Sequence, residues 1–205
     1  AVRVFSEFGG VAETETDAAG RLLIMALTVE QLRTKLKLYG SKSLKPNFLL
    51  QLSQTLEELR SACVSSHTLR NKLPDLSGVL AVKMEELALL LDGYAAVCAN
   101  LGKSSETRLS RLLMALAENP VFSEGRHFHF YGFTDFNGLE LEIIRQLLED
   151  GAEVFLYLLC DKMYTTKQQF ATAAHTARSL YRMGQQSGIG VKVTEDDPQA
   201  EEDPF

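Results

Sequence analysis

The stretch from His127 to Asp161 limits the fold of this chain more than any other part of the sequence. Four aromatic residues and two histidines fall within His127–Phe133, a composition typical of a strand. Apolar residues recur at helical spacing from Leu139 to Leu148. Val154–Leu159 is a nearly unbroken apolar run, which predicts a strand covered on both faces. Strand, helix and strand joined by short links predict a right-handed βαβ unit with parallel strands.

The helix of this unit has its own start and stop signals. Asn137 is placed to cap its first turn, and Glu140 three residues later completes a capping-box pattern. Gly151 stands where the helix is expected to end.

The chain continues in the same alternating way beyond the second strand. Thr165 or Thr166 begins a predicted helix that runs to about Gln186. A last short strand is predicted at Ile189–Val193, between two glycines. Residues 127–193 therefore predict a β-α-β-α-β unit with a small parallel sheet.

Residues 13–119 predict five helices. Their expected starts are Thr16 or Asp17, Pro46, Ser65 or Ser66, Ser77, and Ser104 or Ser105. The first is expected to end near Tyr39, and the fourth runs to about Leu101 with apolar residues in an alternating four-three spacing. That spacing fits a coiled-coil arm, but the wide apolar face favours packing within a local bundle.

The predicted fold class is α/β and predominantly α-helical. We divide the chain into a leading strand and loop (1–12, with the strand at Val2–Phe5), a helical subdomain (13–120), a small α/β unit (121–194) and an acidic tail (195–205). The tail has six acidic residues and no lysine or arginine, so we expect it to be disordered. It accounts for the whole net charge of −6, and the rest of the chain is balanced at 21 acidic and 21 basic residues.

Composition also bounds the setting of the protein. No apolar run approaches the roughly 20 residues needed to cross a bilayer. Cys63, Cys98 and Cys160 are far apart and form neither a metal spacing nor a disulfide framework, which favours a reducing, cytoplasmic setting. The chain starts without Met on a predicted strand, and we interpret it as an internal piece of a longer protein.

One segment is strongly basic. It contains Arg33, Lys35, Lys37, Lys42 and Lys45, and no acidic residue occurs between Gln31 and Thr55. Such a segment suits a phosphate-binding patch. A solvated helix face followed by a loop is the commoner explanation of a lysine-rich surface.

Gly102-Lys103-Ser104 has the ending of a phosphate-binding P-loop. The full motif needs a glycine five residues earlier, where Val97 stands, and a strand before it, where a helix is predicted. We therefore interpret Gly102 as a helix end and Ser104 as the next cap.

The polar residues near the predicted sheet are candidates for a site. His127 and His129 share one side of a strand with Tyr131, and a pair at this spacing suits a metal only with a third ligand. Asp135 and Asp161 each follow a strand closely, where ligands gather in parallel α/β sheets. Each aspartate also fits a turn or a helix cap, so both interpretations stay open. For the histidines we favour the simple alternation of a half-buried strand.

The string from Phe130 to Ile144, FYGFTDFNGLELEII, together with the apolar strand and Asp161 that follow, resembles the AddB/RexB family. These proteins are the B subunits of bacterial ATP-dependent helicase/deoxyribonucleases, whose pattern there is DGF..F...E and then LTLD. Upstream, Val2–Ser6 and Asp17–Leu38 resemble the first strand and helix of the family. Ser77–Gly102, with Lys83 and Tyr94, resembles its "K…DY" helix. The likeness covers nearly all of residues 2–194.

The resemblance extends to the wider UvrD-like helicase superfamily, and the helicase motifs here are degenerate. Its motif II, DEFQD, corresponds to Tyr131-Gly132-Phe133-Thr134-Asp135, so the two positions for the Mg²⁺-binding aspartate and the glutamate hold Tyr131 and Gly132. Asp161 stands at the place of motif III, without the expected glutamine. The likeness implies a helical insertion (domain 1B) plus part of a degenerate motor domain 1A.

The resemblance implies a non-catalytic region that lines part of a DNA path. The parent would process double-strand breaks in DNA repair and homologous recombination, with an AddA-like partner, in the cytoplasm and away from membranes. ATP, Mg²⁺ and an iron–sulfur cluster would belong to the parent outside this chain, in which we expect no catalytic, cofactor or metal residue. One rival is a helical protein-interaction module without a nucleic-acid role. A small hydrolase using Asp135 and Asp161 would lack a nucleophile and a P-loop.

Overall fold

The computed structural model describes residues 16–40 and 44–194 of the 205-residue chain. The described helices and strands are α1 (Ala18–Leu32), α2 (Pro46–Ser61), α3 (Ser66–Lys72), α4 (Gly78–Asn100), α5 (Arg108–Glu118), β1 (His127–Phe133), α6 (Gly138–Glu149), β2 (Glu153–Leu158) and α7 (Ala171–Gln186). Short 3-10 turns occupy Leu73–Asp75, Pro120–Phe122 and Gln168–Phe170. The predominantly helical α/β class is confirmed.

The chain divides into two compact units. Among the described residues, the first contains those up to Asn119 together with Asn137–Glu140, and the second contains Pro120–Phe136 and those from Leu141 onward. No helix among the described residues has the length and apolar character that crossing a membrane requires.

The core of the first unit lies between α1, α2 and α4. Met25 of α1, Leu56 of α2 and Leu90 of α4 are almost completely buried. Gly93 allows α4 to approach α1, because a Cβ atom there would lie 2.6 Å from Cδ1 of Leu32. The bundle interpretation of the long fourth helix is therefore confirmed over the separate coiled-coil arm.

The first helix is shorter than its apolar pattern predicts. It ends at Leu32, and the chain from Arg33 to Gly40 forms turns although Leu36 continues the stripe and is buried. The prediction of a helix to about Tyr39 is wrong because Glu86 takes up the peptide N–H groups of Lys37, Leu38 and Tyr39. A tertiary contact has replaced the helical hydrogen bonds that the local sequence favours.

Side-chain caps confirm three of the expected helix starts. Asp17 accepts a hydrogen bond from the peptide N–H of Gly20, and Ser65 accepts one from Thr68. Asn137 and Glu140 form the reciprocal capping box.

Two other helix starts differ from the prediction because the expected capping residues are engaged in turns. Helix α5 is capped by Thr107, since Ser104 instead accepts from Glu106 within the preceding loop. Helix α7 starts at Ala171, since Thr165 accepts from the peptide N–H of Lys167.

The second unit contains the parallel pair of strands β1 and β2, with α6 between them in the chain. Along both strands, exposed residues alternate with partly buried residues before the exposed end of β1, and the partly buried side chains include Phe128, Phe130, Val154 and Leu156. The prediction that the second strand is covered on both faces is wrong for the described residues. The apolar run was misleading because two of its members, Phe155 and Tyr157, have exposed rings.

The predicted third strand does not form. The structure has a two-stranded sheet in the described residues, and residues 189–194 have no regular secondary structure. The peptide N–H of Ile189 bonds to the carbonyl of Gly184, and the side chain of Val191 packs against the same glycine. These residues therefore cover the end of α7 instead of extending the sheet. The leading strand, Val2–Phe5, and the acidic tail lie outside the described residues.

Candidate nucleic-acid interface

The basic segment, Arg33–Lys45, connects α1 to α2. Its described basic side chains, Arg33, Lys35, Lys37 and Lys45, are all exposed, and Lys42 lies outside the described residues. Arg33 pairs with Glu30 at 3.5 Å, and both side chains are more than half exposed, so this pair is strongly screened by solvent. The segment thus displays its charge to solvent.

A buried carboxylate fixes the backbone of this segment. Glu86 of α4 is only 2% exposed; its Oε1 accepts from the peptide N–H groups of Lys37 at 2.5 Å and Leu38 at 2.8 Å, and its Oε2 accepts from Tyr39 at 3.0 Å. Burial, and then the nearby charge of Glu86, raise the pKa of the Tyr39 phenol. Lys37 and the two residues after it therefore lie on a backbone that is held by the core of the first unit.

The sequence reasoning missed Glu86, although a signal was present. Glu86 precedes Leu90 and Tyr94 at intervals of four residues, so the three lie on one face of α4. Leu90 and Tyr94 are buried apolar residues. An acid aligned with such residues indicates a buried carboxylate that needs several donors.

Tyr131 and Gly132, which the resemblance matches to motif II, are not acids. The ring of Tyr131 stacks on Tyr157 with centroids 3.9 Å apart, and its side chain is 63% exposed. Gly132 has φ +78°, and the register of the two strands shifts between Tyr131 and Phe133, so this glycine forms a bulge. Asp135 is exposed beyond the end of β1.

Asp161 organises the loop that follows β2. Its carboxylate pairs with Lys167 Nζ at 3.0 Å and accepts from the peptide N–H of Lys162 at 2.9 Å. A hydrogen bond from Thr165, followed by those from Lys167 and Lys162, lowers the pKa of this carboxyl group. These contacts support the turn interpretation of Asp161. Asp135 lies beyond the same, carboxyl edge of the parallel pair, and both of its interpretations stay open.

The histidines belong to an exposed ring surface, which we call the aromatic face: His127, His129, Tyr131, Phe155 and Tyr157. His129 stacks on Phe155 with centroids 4.6 Å apart, and its Nδ1 lies 3.1 Å from the Tyr157 hydroxyl. His127 Nε2 lies 3.5 Å from a carboxylate oxygen of Glu153. Within the described ranges, no three His, Cys, Asp or Glu residues come together in a way that suits a metal ion. The contacts support the strand interpretation of the two histidines.

Gly102 ends a helix, as the sequence analysis predicted. It has φ +62°, and the peptide N–H of Lys103 bonds to the carbonyl of Cys98 at 2.9 Å, which closes the last turn of α4. Cys63, Cys98 and Cys160 are not joined by disulfides; Cys63 is exposed and Cys98 is buried.

Comparison with known proteins gives a consistent family. The family described as "ADDB, N-terminal" matches residues 1–204. A protein of Caldanaerobacter subterraneus subsp. tengcongensis, named as the B subunit of an ATP-dependent helicase/deoxyribonuclease, is 27% identical over 194 residues, which are 93% of this chain and 17% of that protein. Proteins of the same name from Anoxybacillus flavithermus and Geobacillus thermodenitrificans are 26% and 28% identical, over 88% and 79% of this chain. The chain spans 16% and 14% of the lengths of those two relatives.

Proposed function

This chain belongs to the AddB N-terminal family, and from that premise we propose that it is a non-catalytic, helicase-like region in the B subunit of a helicase/deoxyribonuclease, and that it contacts the DNA backbone through its basic segment. The likeness to proteins of that name over most of the chain supports the proposal.

The observation on which the DNA contact rests is the anchored basic segment. Its described cations are exposed, while Glu86 holds the peptide groups of Lys37, Leu38 and Tyr39. A fixed backbone lowers the entropy that is lost when a charged ligand binds. Lysine and arginine contacts to phosphates supply most of the sequence-independent affinity for DNA. The geometry therefore suits backbone contacts that read no base sequence.

The non-catalytic role is supported by the positions that correspond to motif II. The phenol of Tyr131 is a poor ligand for Mg²⁺, which prefers carboxylate oxygens. Gly132 has no side chain that could act as a base. Its positive φ fits the bulge at which it lies in the strand.

At the level of the whole protein, we propose a role in processing DNA double-strand breaks for repair and homologous recombination, in the cytoplasm and together with an AddA-like partner. ATP with Mg²⁺ and an iron–sulfur cluster would be bound outside this chain. The described residues do not fit such a cluster: Cys98 is buried, Cys63 is exposed, and no metal-ligand group of three forms among them.

The test removes charge from the basic segment of the whole protein. Replacing Lys35, Lys37 and Lys42 by Ala is expected to weaken binding to duplex DNA. It should also flatten the dependence of log K on log salt by about 0.9 for each phosphate that the variant no longer neutralises. Fluorescence anisotropy over a salt series measures both quantities.

The matched control replaces Lys72, Lys162 and Lys192, which are also exposed and lie outside the basic segment. This variant loses the same three charges, so it corrects for the change in net charge. Equal affinities and slopes for the two triple variants would refute the DNA contact and favour a protein-interaction module.

A further inference from the structure

The aromatic face of the second unit is open to solvent, which is unusual for a parallel sheet. Tyr131 is 63% exposed, Tyr157 42% and Phe155 38%. Parallel strands are normally covered on both faces, because the helices that connect them pack on either side. A contiguous exposed patch of large rings marks a surface that contacts another molecule or another part of the same protein.

The opposite face of the same two strands is packed. Phe128 lies against Phe122, with ring centroids 6.4 Å apart, and helix α7 contacts β2. The side chains on that side alternate with the exposed ones and are partly buried. The two strands therefore have one covered face and one face of exposed rings, within the part of the chain that the structure describes.

The chemistry of the aromatic face favours a neutral, apolar partner over nucleic acid. A platform for DNA bases combines open ring faces with cations that follow the phosphates. Neither β1 nor β2 contains a lysine or an arginine, and Glu153 adds a carboxylate beside His127. Tyr131 and Tyr157 each cover one face of the other's ring, with centroids 3.9 Å apart. These rings therefore suit a contact with aliphatic side chains better than the stacking of bases.

The length of the relatives indicates where such a partner lies. The chain spans 14% to 17% of the B subunits described above, so most of each relative lies outside the matched part. A two-stranded sheet needs further layers for stability. In α/β proteins these layers are helices that place an apolar stripe on the sheet.

We propose that the aromatic face is the docking surface for the apolar side of a helix from the part of the B subunit outside these 205 residues. Tyr131, Phe155 and Tyr157 form the centre of the contact, and the pair of His127 and Glu153 lies at its polar edge. The inference rests on the proposal that the chain is part of a B subunit. It does not rest on the DNA contact of the basic segment, so the lysine variants and the experiment below can fail separately.

The test compares the oxidation of these rings by hydroxyl radicals in this chain and in the isolated whole B subunit, followed by mass spectrometry. Oxidation of Tyr131, Phe155 and Tyr157 should be about fivefold slower in the whole subunit, because residues at the core of a contact lose most of their accessible surface. Equal rates in the two proteins would overturn the proposal. Protection that appears only after single-stranded DNA is added, or that grows with the concentration of this chain alone, would overturn it too, because the occupant would then be DNA or a second copy.

A charge placed in the contact provides a second measurement in the whole subunit. Phe155→Asp should raise the oxidation rate of Tyr131 toward its rate in this chain, because a carboxylate without a partner is unfavourable against an apolar helix. The matched control is Tyr164→Asp, which adds the same charge at a ring that is 76% exposed and lies outside the aromatic face. Equal rates at Tyr131 in the two variants would contradict the proposal. The comparison of the unaltered proteins decides the matter even where the Phe155→Asp subunit does not fold.

Discussion

At the scale of single residues, Glu86 holds the loop that follows α1 through its buried carboxylate. A buried carboxylate must be hydrogen-bonded, and this one is surrounded by three successive peptide N–H groups. It therefore couples the core of the first unit to the loop that displays the candidate DNA-binding lysines.

Replacing Glu86 by Gln is expected to lower the free energy of unfolding by about 3 kcal/mol. The amide would lose the charge that strengthens three hydrogen bonds and would point N–H donors at other donors. Urea denaturation followed by circular dichroism measures the change. Glu85→Gln is the matched control, because Glu85 is half exposed and pairs with Arg70 at 3.7 Å, a contact worth less than about 1 kcal/mol. Equal losses for the two variants would show that Glu86 is not an anchor.

At the scale of secondary-structure elements, the end of α2 contains a strained residue. Cys63 has φ +57°, where residues other than glycine are uncommon. The conformation persists because Val64 N–H bonds to the carbonyl of Leu59 at 2.8 Å, which closes the helix end in the usual left-handed way.

Cys63→Gly should raise the free energy of unfolding by up to about 1 kcal/mol, because glycine adopts this conformation without a Cβ clash. Thermal and urea denaturation of the chain measure the effect. Ala62→Gly serves as the control, since Ala62 has φ −87° and is exposed, so there glycine only adds freedom to the unfolded chain. A Cys63→Gly variant that is destabilised as much as the control would contradict the prediction.

The elements that the sequence predicts well are those whose signals are local. The capping box of Asn137 and Glu140 and the helix end at Gly102 need only neighbouring residues, and the structure has all of them. The end of α1 depends on a contact that is distant in sequence, since Glu86 lies 49 residues from Lys37. The third strand is missing because the chain turns back, so that Val191 packs on Gly184. A cavity in the first unit is lined by residues from four separate segments, among them Arg21, Arg60 and Arg108, so no local pattern could reveal it.

At the scale of the whole molecule, the candidate functional residues are distributed over both units. The basic segment lies in the first unit, and Tyr131 and Gly132, which the resemblance matches to motif II, lie in the second. The proposed non-catalytic role rests on Tyr131 and Gly132 standing where, by the resemblance, a working site would have its acids.

The chain is therefore expected neither to hydrolyse ATP nor to bind Mg²⁺–ATP tightly. Isothermal titration calorimetry with Mg²⁺–ATP should give no saturable heat at micromolar concentrations, because Tyr131 and Gly132 supply neither a metal ligand nor a base. A one-to-one isotherm that disappears when Asp135 or Asp161 is replaced by Asn would overturn the non-catalytic role and favour a hydrolase.

The stacked rings on β1 and β2 also contribute to the near-ultraviolet absorption of the molecule. The chain has six tyrosines and no tryptophan, so its near-ultraviolet spectrum is not masked by indole. Tyr131 and Tyr157 are almost parallel at 3.9 Å, close enough for their electronic transitions to couple. Separation of the two strands would uncouple this pair, so the near-ultraviolet signal of the two tyrosines would report whether the sheet is intact.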